Sequence, residues 1–219
     1  MSRKIQKQIT CPQCGSQVNT AIYTSVNVTT SPQLREKVMD ESLFMWRCSN
    51  CSYEALLLHP CLYHDMDRGF MVYLIPELRD DFLSDKEVSE QFPELKALQK
   101  RLAPDLNALK EKILIFEARL DDRAVELCKL ALQRVVSEKK GVAAGSGYFC
   151  MLDRDAGQIG FSFFLKNSDE PYFQATKLLA YEKSADIVGS LLKEKEQPSG
   201  FLRIDDAWAS EALKEYQAK

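Results

Sequence analysis

The chain has 219 residues, 45% of them hydrophobic and 28% charged, with 29 Lys/Arg against 32 Asp/Glu for a net charge of -3. That is enough apolar material for an ordinary core, and the even charge balance excludes a general polyanion binder. No run of about 18 apolar residues could span a bilayer, and no apolar stretch follows the basic Arg3, Lys4 and Lys7, so a soluble, unprocessed, cytoplasmic protein without membrane contact is expected.

Taken in order, residues 5–10 alternate apolar with polar, the turn Cys11-Pro12-Gln13-Cys14-Gly15 follows, and residues 17–29 are rich in β-branched and aromatic side chains. Two strands around a turn are predicted. Ser31-Pro32 reads as a hydroxyl cap followed by proline in the first turn of a short helix over 34–38. Residues 43–47 lead as a strand into Cys48-Ser49-Asn50-Cys51, residues 53–58 leave as another, and the apolar run 70–75 ends at Pro76. Residues 1–76 are thus expected to form a zinc-ribbon-like antiparallel sheet with two Cys turns, and 59–67 a turn beside it.

Residues 77–140 form the expected helical part of the same domain. Pro93 and Pro104 punctuate it, with short helices between them. After Pro104-Asp105, the residues Leu106, Leu109, Ile113, Phe116 and Leu120 recur at offsets of three and four along one helix face. Asp121-Asp122 can cap a second helix with an apolar face of Ala124, Leu127, Cys128, Ala131 and Val135. The glycine-rich 141–147 is expected to link to a C-terminal α+β unit, 148–219. There, strands over 148–152 and 159–165 flank a glycine-containing turn, a strand runs over 172–179, a helix over 181–195, and Asp205 or Asp206 caps a last helix. The predicted class is α+β.

Seven cysteines is an odd number, and four of them lie in two Cys-x-x-Cys pairs, which suits metal thiolates in a reducing compartment better than disulfides. Two residues between thiolates let both sulfurs face one ion, and two such turns face to face supply four ligands at about 2.3 Å. Cys11, Cys14, Cys48 and Cys51 are therefore the candidate ligands, with zinc the expected ion. An iron site or Fe–S cluster takes the same ligand set, and either pair alone would suit a redox dithiol. Four thiolates fill a tetrahedron, so the site reads as structural.

Cys61, His64, Asp65 and Asp67 form a second group of potential ligands without a complete, well-spaced set, and hydrogen bonding in a turn explains them better. Cys128, Cys150, Phe161, Phe163 and Phe164 read as core. No nucleophile elbow, phosphate loop or dinucleotide-binding glycine pattern occurs. No catalytic or organic-cofactor residue is assigned, and the reading favours a binding protein over an enzyme.

Cys11-Pro12-Gln13-Cys14-Gly15, the pair Cys48-Ser49-Asn50-Cys51 with Tyr53, and Leu62-Tyr63-His64-Asp65-Met66 with Phe70-Met71 and Pro76 resemble the CpXC domain family of bacteria and archaea. Leu109-Lys110-Glu111-Lys112-Ile113, Phe116-Glu117 and Leu120-Asp121-Asp122-Arg123 are similar to the family's helical continuation. The resemblance implies metal binding at Cys11, Cys14, Cys48 and Cys51 and transfers no reaction. The second pair lacks the proline that the family's name records.

Three functions follow as expectations. The first is a zinc-stabilised interaction or scaffold module with a protein partner or self-association. The second is a nucleic-acid-binding ribbon using Arg3, Lys4, Lys7, Arg47 and Arg68. The weakest is a metal-dependent hydrolase using His64 with Asp65 or Asp67.

Overall fold

The computed structural model describes residues 1–76, 98–166, 168, 170–193 and 200–218. The α+β class is as expected: five helices and three sheets are present among the described residues. The chain divides into two compact units, Met1–Lys110 and Glu111–Lys219.

In the first unit, the β-rich residues after the first Cys turn form β2 (Gln17–Asn27), which pairs antiparallel with β1 (Arg3–Thr10). The short helix α1 (Gln33–Met39) buries Leu34 and Val38, four apart on one face. Its expected hydroxyl cap is not made. Pro32 occupies the N-cap, and Ser31 Oγ accepts from Ser2 Oγ at 3.3 Å instead. β3 (Met45–Arg47) and β4 (Glu54–Leu56) form a separate antiparallel hairpin around the second Cys pair.

β5 (Cys61–Asp65), β6 (Phe70–Leu74) and β7 (Gln99–Ala103) complete a five-stranded sheet of order β1-β2-β5-β6-β7. β1–β2 and β5–β6 are antiparallel, whereas β2–β5 and β6–β7 are parallel, so the sheet is mixed rather than antiparallel throughout. A parallel neighbour needs a long crossover. Residues 28–60 supply one between β2 and β5, carrying α1 and the second Cys hairpin.

Two further expectations are corrected here. Residues 61–65, read as a turn, are the central strand β5, with Cys61, Tyr63 and Asp65 buried on one face. Residues 99–103, read as part of a helical stretch, are β7, in which Lys100 and Arg101 are buried. Charged residues at buried strand positions carry no apolar alternation for a pattern to detect. The expectations for 77–97 lie outside the described residues.

The unit boundary falls within α2 (Leu106–Glu117). Its predicted face is buried: Leu106, Leu109, Ile113 and Phe116, with Leu120 just beyond. Asp121 caps α3 (Asp122–Lys140) by accepting from Arg123 N, and Gly141 ends it at φ 64°. β8 (Ala144–Asp153), β9 (Gln158–Leu165) and β10 (Tyr172–Lys177) form an antiparallel sheet of order β10-β9-β8. The stretch 141–147 therefore ends a helix and begins a strand. Gly147 is glycine because a Cβ there would lie 2.6 Å from the Phe163 ring.

α4 (Leu178–Leu192) and α5 (Asp206–Gln217) follow, the latter capped by Asp205. Ala124 and Leu127 of α3 pack with Val188, Leu191, Ala209 and Ala212 of these helices. The rest of α3's face is rotated from expectation. Leu132 and Val136 are buried, while Ala131 and Val135 are exposed. Phe161 and Phe163 are core as expected, but Phe164 is partly exposed. Cys150 is exposed beside a break in the β8–β9 register rather than inside the core.

Candidate metal centre

The first Cys pair sits in the β1–β2 turn and the second in the β3–β4 turn, and the two turns share one construction. Gly15 N donates to Cys11 O and Cys11 N to Ser16 O; Ser52 N donates to Cys48 O and Cys48 N to Tyr53 O. The fourth residue after the first cysteine is left-handed in both, Gly15 at φ 71° and Ser52 at φ 61°. This tight reversal turns both sulfurs of a pair to one side. Trp46 Nε1 donates to Thr20 Oγ1 at 2.8 Å, tying β3 to β2 so that the turns face each other.

The four sulfurs of Cys11, Cys14, Cys48 and Cys51 all lie within 4.8 Å of one another, with Cys11–Cys51 at 3.6 Å and Cys14–Cys48 at 3.8 Å. A tetrahedron of sulfurs about 2.3 Å from a central ion has edges of about 3.8 Å. The residues thus fit an ion held by four thiolates, and among the described residues no other group of His, Cys, Asp or Glu comes together this way.

Burial is uneven around this centre. Cys11 and Cys48 are each 1% exposed, packed with Trp46 and flanked by Ile9, Val18, Tyr53 and Leu57. Cys14 is exposed. Without metal, the Ser16 hydroxyl and backbone N–H and the Asn50 amide hold the Cys14 thiol down at about 5. The Tyr53 backbone N–H works to lower Cys51, but desolvation and the neighbouring thiols outweigh it and push that thiol up to about 12.

The second candidate group does not converge. Asp65 is 1% exposed and accepts from Arg68 N at 3.0 Å and Arg68 Nη1 at 2.6 Å. His64 is its strand neighbour and so projects to the opposite face. Its Nε2 meets Ser25 Oγ at 3.3 Å, its Nδ1 is buried without a hydrogen-bond partner, and burial, aided by the amino terminus, lowers its pKa. Cys61 is buried, which pushes its thiol up to about 12, and Asp67 is exposed. His59 lies between two backbone carbonyls, Leu57 O at 2.8 Å and Tyr23 O at 2.9 Å.

Sequence reasoning missed a buried charged cluster in the second unit. Lys112 Nζ lies 3.1 Å from both Asp122 and Glu126, and Lys129 Nζ lies 2.9 Å from Glu111 and 3.0 Å from Glu126. Glu111 also accepts from Phe149 N at 2.7 Å. Burial disfavours the Lys112 ammonium, but Asp122, Glu126 and Glu111 outweigh it and raise its pKa; burial raises Glu126 in turn. The available signal was spacing: Asp122, Glu126 and Lys129 fall on the α3 face that carries Val125, Leu132 and Val136.

In comparison with known families, the chain matches the family described as CpXC protein over residues 9–129. The chain belongs to the CpXC family. No curated protein and no solved structure matches it. The CpXC match takes in all four clustered cysteines and all five charged residues of the buried network, and it ends within α3.

Proposed function

We propose that this CpXC protein is a zinc-binding interaction module: Cys11, Cys14, Cys48 and Cys51 hold one zinc that is structural, and the folded surface engages a protein partner or a second copy. The convergence of four thiols carries this reading. An all-sulfur set suits zinc and leaves no open position for water or substrate. Purified protein is expected to contain one zinc per chain; iron, or clearly less than one metal, overturns the assignment. The interaction role is tested by light scattering on purified protein and by capture from native lysate with and without metal. Turnover of a substrate in the absence of any association sinks it.

A second reading, nucleic-acid binding, is favoured by one observation. The first 35 residues contain no Asp or Glu, and Arg3, Lys4 and Lys7 are all exposed on β1. Arg47 and Arg68 contribute less, being paired with Glu54 at 3.7 Å and Asp65 at 2.6 Å. Affinity for a short oligonucleotide at low salt that falls as salt rises supports this reading, and no affinity removes it. A hydrolase on His64 and Asp65 has no converging pair to rest on.

A further inference from the structure

The metal centre has one open corner. Cys11 and Cys48 are sealed at 1% exposure against Trp46, whereas Cys14 is exposed. Polar side chains stand where the apolar wall is missing. Ser16 Oγ lies 3.3 Å from Cys14 Sγ, and Asn50 Nδ2 lies 3.6 Å from that sulfur and 2.9 Å from Ser16 Oγ. Asn50 belongs to the second Cys turn and Cys14 to the first, so this one amide reaches across the centre. Cys51, the other partly accessible ligand, has its donor within its own turn, the Tyr53 backbone N–H, and what reaches it from the opposite turn is Gln13 Oε1, an acceptor, at 3.9 Å.

A thiolate bound to metal remains a nucleophile, and outer hydrogen-bond donors damp that reactivity and orient the ligand. We propose that Cys14 is the exchangeable ligand of the centre, and that Asn50, with Ser16, is a positioning residue that latches it on the metal. The inference rests on the zinc reading above. Metal then passes to or from a competing thiol or chelating side chain through this corner. The incoming thiolate forms one metal–sulfur bond, the Cys14–metal bond breaks, and the released Cys14 sulfur takes a proton from water.

The test uses the full chain loaded with zinc and limiting N-ethylmaleimide, with labelled peptides resolved by mass spectrometry and zinc release followed with a chromophoric chelator. In labelling, the cysteine sulfur bonds to an alkene carbon, the π bond breaks, and the adjacent carbon takes a proton from water. Exposed Cys150 is the internal standard for an unligated thiol. Among the four ligands, Cys14 is expected to label first, in step with zinc release. Asn50→Ala is expected to raise both rates about tenfold, the lower end of outer-shell effects on metal sites. Asn50→Asp keeps the size but loses the N–H donor, and is expected to behave like Asn50→Ala; a packing role would leave it like wild type.

Labelling of Cys51 or another ligand ahead of Cys14, or unchanged rates in Asn50→Asp, overturns the proposal while the zinc reading stands. Less than one metal per chain before any reagent is added overturns both.

Discussion

Gly15 and Ser52 hold equivalent places in the two Cys turns, yet only one is glycine. Left-handed backbone costs a residue with a Cβ roughly 1 kcal/mol, so Ser52 is tolerated because its surroundings hold it there. Arg119, where the chain leaves α2, is a comparable residue at φ 56° and is exposed. Arg119→Gly is therefore expected to stabilise the protein by about 0.5 kcal/mol once glycine's greater freedom in the unfolded chain is set against the relief, read as a small rise in denaturant midpoint. At the ligands the expected sign is opposite. Cys48→Ser removes a sealed sulfur, and metal content should fall well below one per chain; retention of a full equivalent would show that Cys48 is not a ligand.

Among elements, α2 and α3 together carry the most unusual chemistry. Glu111, Lys112, Asp122, Glu126 and Lys129 are all buried, with three carboxylates against two ammonium groups. Glu126 Oε2 lies 3.0 Å from Lys129 Nζ without hydrogen-bond alignment. Its folded pKa is raised by burial, which the lysines only partly offset, so the folded state binds the proton more tightly than the unfolded one. The stability this gives is complete below the ordinary carboxylate range and is lost as pH rises from there through the raised folded value. Glu126→Gln, neutral at every pH, is expected to flatten that decline, seen as a smaller drop in melting temperature between pH 5 and pH 8. Lys112→Met, by contrast, removes the buried ammonium that faces both Asp122 and Glu126 and should cost about 3–5 kcal/mol in chemical denaturation.

The same elements show what sequence could reveal. The Cys turns, the α2 face, the Asp121 and Asp205 caps and the β8–β9 turn announce themselves through local chemistry. β5, β7 and the rotated face of α3 do not. Their buried positions hold Asp65, Lys100, Arg101, Glu126 and Lys129, and apolar periodicity cannot register a buried charge, whether its partner is three residues on, as Arg68 is for Asp65, or far along the chain, as Glu111 is for Lys129. The parallel pairings were hidden for a related reason, since strand direction is set by a crossover rather than by the strand's own residues.

At the scale of the whole molecule, the cysteine cluster and the helical core belong to different units. The cysteines lie in Met1–Lys110, and the packing of α3 with α4 and α5 lies in Glu111–Lys219. Metal removal should therefore act selectively. After chelation, hydrogen exchange is expected to accelerate across β1–β4 and to stay slow in α3 and β9; uniform loss of protection would show the two units to be one cooperative structure. No helix among the described residues is long and apolar enough to cross a membrane.

β1 contributes to behaviour at high concentration. This strand of 8 residues is the edge of its sheet, pairs only with β2 among the described strands, and is exposed at every position but Ile9. Such an edge is a template for another chain's backbone, and natural sheets guard it with charge. Lys4 and Lys7 fill that role, Lys4 lying 4.5 Å from the Tyr23 ring centroid. Replacing both with threonine, which favours strands and carries no charge, should leave the fold intact and shorten the lag before fibrillar aggregation. The cations of the first strand thus work as gatekeepers, keeping an open sheet from growing past its own chain.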